Sequence, residues 1–89
     1  MNTWDLSVAG PAKRTLDRLA EGVAAAIVEF MLGPLRDAPT IVGKPLRGDL
    51  DGYWSARRGA YRVIYRLDDD SHVVVVVRVE HRSDVYRPL

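Results

Sequence analysis

The stretch GYWSARRGAYRVIYRLDDDSHVVVVVRVEHRSDVY, residues 52–86, sets six arginines, Arg57, Arg58, Arg62, Arg66, Arg78 and Arg82, among residues of β-strand character. A guanidinium is a planar fork of donors that stays charged and matches the paired oxygens of phosphates and carboxylates. Arg62, Arg66 and Arg78 interrupt runs of Val, Ile and Tyr where Thr or Ser would serve a merely structural strand. The chemistry to expect is recognition of an anion and neutralisation of charge on it. His72 follows a turn signal and reads as structural. The chain has no cysteine and its two histidines flank a strand, so convergent metal ligands are lacking. Asp68, Asp69 and Asp70 read as a hairpin turn rather than a cation site. Neither a metal nor a cofactor is expected.

At 89 residues the chain is one domain, 1–89, with no room for a second catalytic unit. Net charge is +1, but residues 44–89 carry 9 basic and 7 acidic groups against 4 and 5 in residues 1–43. With three of those acids gathered at Asp68–Asp70, the remaining C-terminal surface is basic, which favours a phosphate-bearing partner. A solvated mixed-charge face is the plainer reading. MNTWDLSVAG lacks the basic start and long apolar core of a signal peptide, and no apolar run reaches 18 residues. A soluble, cytoplasmic protein without a membrane partner is expected.

The elements that must hold these arginines follow from periodicity. Thr3–Val8 alternates weakly and predicts a short strand; Gly10–Pro11 then opens a helix. Ala12, Leu16, Leu19, Ala20, Val23, Ile27, Phe30 and Met31 form an apolar helical stripe, and Gly22 within it predicts a helical hairpin broken near Ala20–Gly22. Gly33–Pro34 weakens or ends the second helix, and Arg36–Leu50, with Pro39, Gly43, Pro45 and Gly48, reads as a connector. Tyr53–Arg58, Tyr61–Leu67 and His72–Glu80 then predict an antiparallel meander. A strict period of two puts Tyr61, Val63, Tyr65 and Leu67 on one face and Arg62, Ile64 and Arg66 on the other. In the last strand it puts Val73, Val75, Val77 and Val79 opposite Val74, Val76 and Arg78. The predicted fold is α+β, a small antiparallel sheet covered on one face by an N-terminal helical hairpin, with arginines projecting from the other.

Leu46-Arg47-Gly48, Tyr61-Arg62-Val63-Ile64-Tyr65 and His81-Arg82-Ser83-Asp84-Val85-Tyr86, in this order and spacing, resemble the RelE/ParE superfamily of toxins from bacterial toxin–antitoxin modules. The likeness runs over nearly the whole chain and implies a RelE-like microbial ribonuclease-type fold. In the RelE branch it implies a ribosome-dependent endoribonuclease that enters the A site and cuts mRNA through attack of a 2′-hydroxyl on the neighbouring phosphate. Such a reaction needs one proton taken, one given, and charge on the phosphorane oxygens neutralised. DNA, without the 2′-hydroxyl, should be inert.

The resemblance implies a phosphate-binding role for Arg62, a second arginine at Arg82, and at Tyr86 a tyrosine that orients the 2′-hydroxyl or stacks on a base. It also offers His81 as an acid or base, although alone this residue reads as an ordinary surface histidine. Two catalytic lysines of some RelE toxins are matched by Trp54 and Ala56, so their role falls elsewhere or is absent. Arg58 shares their strand face, and Lys44 and Arg47 precede it as further positive charge, with Arg57, Arg66 and Arg78 completing the RNA- or ribosome-binding set. Trp54 either stacks on a base or is covered by an antitoxin. Implied partners are a RelB-like antitoxin that carries operator DNA, the ribosome and mRNA. Two other readings stay open: a ParE-like toxin that binds and inhibits DNA gyrase without cutting, and a weak toxin acting as antitoxin-bound co-repressor.

Overall fold

The computed structural model describes residues 3–84. In chain order it contains β1 (Asp5–Val8), α1 (Gly10–Arg18), α2 (Glu21–Phe30), a π-helical turn over Met31–Leu35, and a short α3 (Pro39–Val42). There follow β2 (Lys44–Pro45), a 3-10 turn at Gly48–Leu50, β3 (Tyr53–Arg58), β4 (Tyr61–Asp68), β5 (Val73–His81) and a second 3-10 turn at Arg82–Asp84. Among these residues the strands form one sheet in the order β1-β5-β4-β3-β2. The α+β architecture predicted from periodicity is present, but the sheet is mixed: β1 runs parallel to β5, while the other neighbours are antiparallel. A strand whose partner is distant in sequence is not bound by hairpin geometry, which alone enforces antiparallel pairing.

Extended backbone at Leu19 and Ala20 separates α1 from α2, at the predicted break. Gly33–Pro34 does not end the helix. Pro34 cannot donate to the helical ladder, and the wider turn over Met31–Leu35 accommodates it while carrying Met31 and Leu35 into the core. The segment Arg36–Leu50, predicted as a connector, holds α3 and the edge strand β2. It is pinned from beneath, because the hydroxyl of Tyr65 donates to the carbonyl of Pro39 at 2.5 Å. Gly43 is what permits this: a Cβ there would stand 2.0 Å from that hydroxyl oxygen and 3.0 Å from the Ser55 carbonyl.

The core lies between the helices and one sheet face, and joins Ala12, Ile27, Met31 and Leu35 to Ala56, Val63, Tyr65, Val74, Val76 and Val79. The strict alternation predicted for β5 fails. Ile64 pairs with Arg78 but Tyr65 with Val76, which leaves Val77 as an extra residue. A bulge resets the period, so Val74, Val76 and Val79 point to the core rather than Val73, Val75, Val77 and Val79. On β4 the predicted sorting holds, and Ile64, only 2% exposed, is outside the helix-side cluster. The β4–β5 turn is closed by Ser71, whose N–H donates to Asp68 Oδ1 at 3.2 Å. His72 ends it at φ 58°, with its ring stacked on Trp4 at 3.9 Å. No helix among the described residues is long and apolar enough to cross a membrane.

Candidate active site

Strand register decides which arginines meet. Arg57 on β3 stands directly opposite Arg62 on β4, Ser55 opposite Ile64, and Tyr53 opposite Arg66. These residues share the face turned away from the helices. Like charges directly opposite each other destabilise a strand pair unless an anion or partner intervenes. Arg62 also faces Glu80 on β5, yet the carboxylate of Glu80 lies 3.9 Å from Nε of Arg78. Arg62 instead donates from Nε to Ser55 Oγ at 3.2 Å, part-buried, so it is less exposed than an open sheet face suggests. With Nε engaged beneath, the outer nitrogens of its fork remain for a ligand.

Two hollows adjoin this pair. One is lined by Val42, Lys44, Pro45, Leu46, Ser55, Arg57 and Arg62. The other, at the tight Gly59–Ala60 turn, is lined by Arg57, Tyr61, Arg62 and Arg82. Arg57 and Arg62 belong to both, and among the described residues no carboxylate lines either. Lys44 reaches the first because β2 pairs with β3. Arg82 reaches the second because its backbone N–H donates to the Ala60 carbonyl at 2.8 Å. The result is a row of four cations suited to a polyanion with phosphates spaced along a strand. Among the described residues no group of three or more His, Asp or Glu side chains converges as a metal site would need.

The remaining sequence-predicted residues lie elsewhere. Trp54 and Ala56 face the helices: Ala56 is 1% exposed in the core, and Trp54 packs on it with its ring 6.5 Å from that of Tyr65. A base-stacking Trp54 beside Arg62 is therefore corrected, because neighbours one residue apart on a strand point to opposite faces. The β3 positions that share the face of Arg62 are Tyr53, Ser55 and Arg57, and Ser55 was missed although strict alternation from Arg57 points to it. Arg58 lines hollows on the α2 side with Val23, Ile27 and Phe30. His81 pairs with Tyr61, and their rings meet edge to face at 5.1 Å. Arg78 lines a cleft with Thr15, Arg18 and His81, where β5 runs on past the end of β1. Arg66 and Arg47 are exposed outside both hollows. Tyr86 lies outside the described residues.

Residues 5–86 match the family model for the ParE toxin of the type II toxin–antitoxin system, parDE. The chain belongs to this family of toxins. It is 53% identical over 76 residues to toxin RelG of Mycobacterium tuberculosis (strain ATCC 25618 / H37Rv), covering 85% of this chain and 87% of RelG. It is 49% identical over 84 residues to toxin RelE of the same strain, covering 94% of this chain and 87% of that one. Its fold is similar to that of a chain in the crystal structure of the toxin–antitoxin complex RelBE2 from M. tuberculosis, with a TM-score of 0.86, 46% identity, and coverage of 90% and 99%. The isolated E. coli RelE toxin is also similar, with a TM-score of 0.72 at 25% identity, covering 93% of this chain and 90% of that one.

Proposed function

We propose that this toxin is a ribosome-dependent endoribonuclease that cleaves mRNA in the A site. The observation that carries the reading is the sharing of Arg57 and Arg62 between two hollows that also hold Lys44 and Arg82, with no acid among the described residues lining either. Attack of a 2′-hydroxyl on its phosphate builds charge on the phosphorane oxygens, and fixed guanidiniums answer it without reorganising. Arg62, held from beneath by Ser55, grips the scissile phosphate; Arg57 assists, and Lys44 and Arg82 hold the flanking phosphates. Arginine is a poor proton donor, since its pKa exceeds about 12. Lys44 and Tyr86 are the candidates for moving protons. The mechanism calls on no metal, and its products are a 2′,3′-cyclic phosphate and a 5′-hydroxyl. The chain works in the cytoplasm and is restrained by a RelB-like antitoxin that covers the arginine face and carries operator DNA. Support for such a partner is the likeness to a toxin solved as the RelBE2 complex.

The test is induced expression followed by mapping of mRNA ends on ribosomes. Cuts within A-site codons that persist under chelation, with ribosomes kept intact, are expected. Products bearing a 5′-phosphate and a 3′-hydroxyl would exclude the mechanism. A second reading, gyrase inhibition without cleavage, draws on the ParE family model and on the absence of lysine from the β3 positions that face Arg62. It expects intact mRNA and arrested DNA supercoiling.

A further inference from the structure

The turn that carries Arg82 is held by an imidazole. The backbone N–H of Ser83 lies 3.2 Å from Nδ1 of His81, and the Ser83 hydroxyl lies 2.8 Å from the same nitrogen. A peptide N–H can only donate, so Nδ1 must present its lone pair. The neutral ring then carries its proton on Nε2. From the other side, Arg82 is tied by its own N–H to the Ala60 carbonyl. The turn Arg82–Asp84 is thereby fastened both to the β3–β4 hairpin and to the end of β5.

We propose that His81 is a positioning residue: as a neutral imidazole it accepts from Ser83 and so fixes the turn that sets Arg82 beside Arg57 and Arg62. The proposal rests on the nuclease reading for its consequence but not for its geometry. His81 is cross-strand from Tyr61, on the helix-facing side of the sheet, whereas Arg62 projects from the opposite side. It is therefore poorly placed to exchange a proton with a phosphate held by Arg62. Protonation at Nδ1 would set an N–H against the N–H of Ser83, break that bond, and loosen the turn. Besides Tyr61, the cleft around the ring brings Thr15 and Arg18 from α1 and Arg78 and Glu80 from β5. The carboxylate of Glu80 is engaged by Arg78.

A general base and a positioning imidazole respond differently to substitution. Asparagine at residue 81 can accept from the N–H two residues on, as in an Asx turn, but does not titrate. Leucine can do neither. Ribosome-bound mRNA cleavage is to be followed from about pH 8 down to about pH 5.5. Loss of one such hydrogen bond is expected to lower the wild-type rate about fivefold on the acid side. His81→Asn should hold at least about half the neutral wild-type rate and lose the acid limb, while His81→Leu should sit about fivefold low at every pH. Asparagine as inactive as leucine, or an acid limb that persists in His81→Asn, would overturn the proposal.

A second readout does not depend on cleavage. In 15N spectra of the free toxin the Ser83 and Arg82 amide signals should titrate together with His81, and stay fixed in His81→Asn. Amides that titrate in a protein that cuts nothing would uphold the anchoring and remove the nuclease reading. Amides that ignore His81 in an active protein would refute the anchoring alone.

Discussion

The two faces of the central sheet are built from alternate residues of the same strands, yet they obey opposite rules. Towards the helices stand Ala56, Val63 and Tyr65, all buried in the core. One residue away in each strand stand Ser55, Arg57 and Arg62, which border hollows open to solvent. On the covered face the Tyr65 hydroxyl has its partner in the Pro39 carbonyl, whereas Nε2 of His72, stacked on Trp4, is buried without a hydrogen-bond partner. The open face sets Arg57 against Arg62 and, among the described residues, lines both hollows without a carboxylate. Like charges set opposite each other in this way favour an anion between them. A shift of one residue in reading β3 exchanges the two faces, and with them core and site.

The comparison is broken most severely at Arg62. Arg62→Ala removes one preorganised donor and is expected to lower mRNA cleavage by about 10²–10³, or roughly 2.7–4 kcal/mol. Arg57→Ala, which leaves Arg62 in place, should cost about 10–100-fold, the worth of a hydrogen bond to a charged group. Thermal melting should scarcely change in either, because neither side chain belongs to the core. Rates from primer extension on ribosomes, set beside melting curves, check both. A fully active Arg62→Ala protein would place the site elsewhere.

Gly43→Ala attacks the covered face through its lid. The new methyl would overlap the Tyr65 hydroxyl and drive it from the Pro39 carbonyl, leaving a buried acceptor without its donor. A loss of about 3 kcal/mol is expected, at the upper end for overpacking, and urea unfolding measures it. Unlike Arg62→Ala, this change should lower stability and activity together, since β2 and its Lys44 follow directly.

Much of this was legible in the sequence, and the misses share one origin. The helical hairpin, the meander and the placing of Arg62 and Arg66 on one β4 face follow from periodicity, and the structure keeps them, although Arg62 is part-buried rather than exposed. Periodicity also assigned the core residues of β4 correctly, Val63 and Tyr65. It failed on β5, where five consecutive valines carry no face information and the bulge at Val77 has no local signal. For Trp54 the base-stacking reading came from the family likeness and not from alternation, which back from Arg57 leads to Ser55 and Tyr53. Lys44 and Arg82 entered the expected site through the family likeness, because periodicity cannot show that they converge on one arginine pair. Lys44 depends on a two-residue edge pairing, and Arg82 on a hydrogen bond to a carbonyl 22 positions earlier.

The covered face can also be probed by pH. Burial pushes the hydroxyl of Tyr65 up from 10.0 to about 12. Between these values the unfolded chain has released the proton while the folded one retains it, so stability falls as pH rises. The loss by pH 12 is about 2–3 kcal/mol from this group, and stability below pH 10 is unaffected by it. Tyr65→Phe should abolish that alkaline component at the cost of about 1 kcal/mol at neutral pH, through loss of the bond to Pro39. Urea midpoints measured from pH 8 to about pH 12 give the answer. An unchanged alkaline slope in Tyr65→Phe would mean that another tyrosine carries the titration.

The smallest effect is expected one residue from one of the larger ones. Arg58 follows Arg57 directly, carries the same charge, is equally exposed, and lies on the same strand. Any account based on net charge or on a basic stretch would treat the two alike. Register does not: Arg57 faces Arg62 across the pair, while Arg58 faces Tyr61 and turns towards α2, near Glu29 and Phe30. An exposed arginine outside the site is worth within about 0.5 kcal/mol. Arg58→Ala should therefore change cleavage by no more than about twofold and leave melting nearly unchanged. Long-range attraction to ribosomal RNA weakens equally in Arg57→Ala and Arg58→Ala, so a difference between them isolates the contribution of the open face. The comparison is best made at two ionic strengths, because salt screens the shared term and leaves the local one. If Arg58→Ala falls as far as Arg57→Ala at both, the bound RNA reaches round the edge of the sheet, and the division into a covered face and an open one does not describe binding.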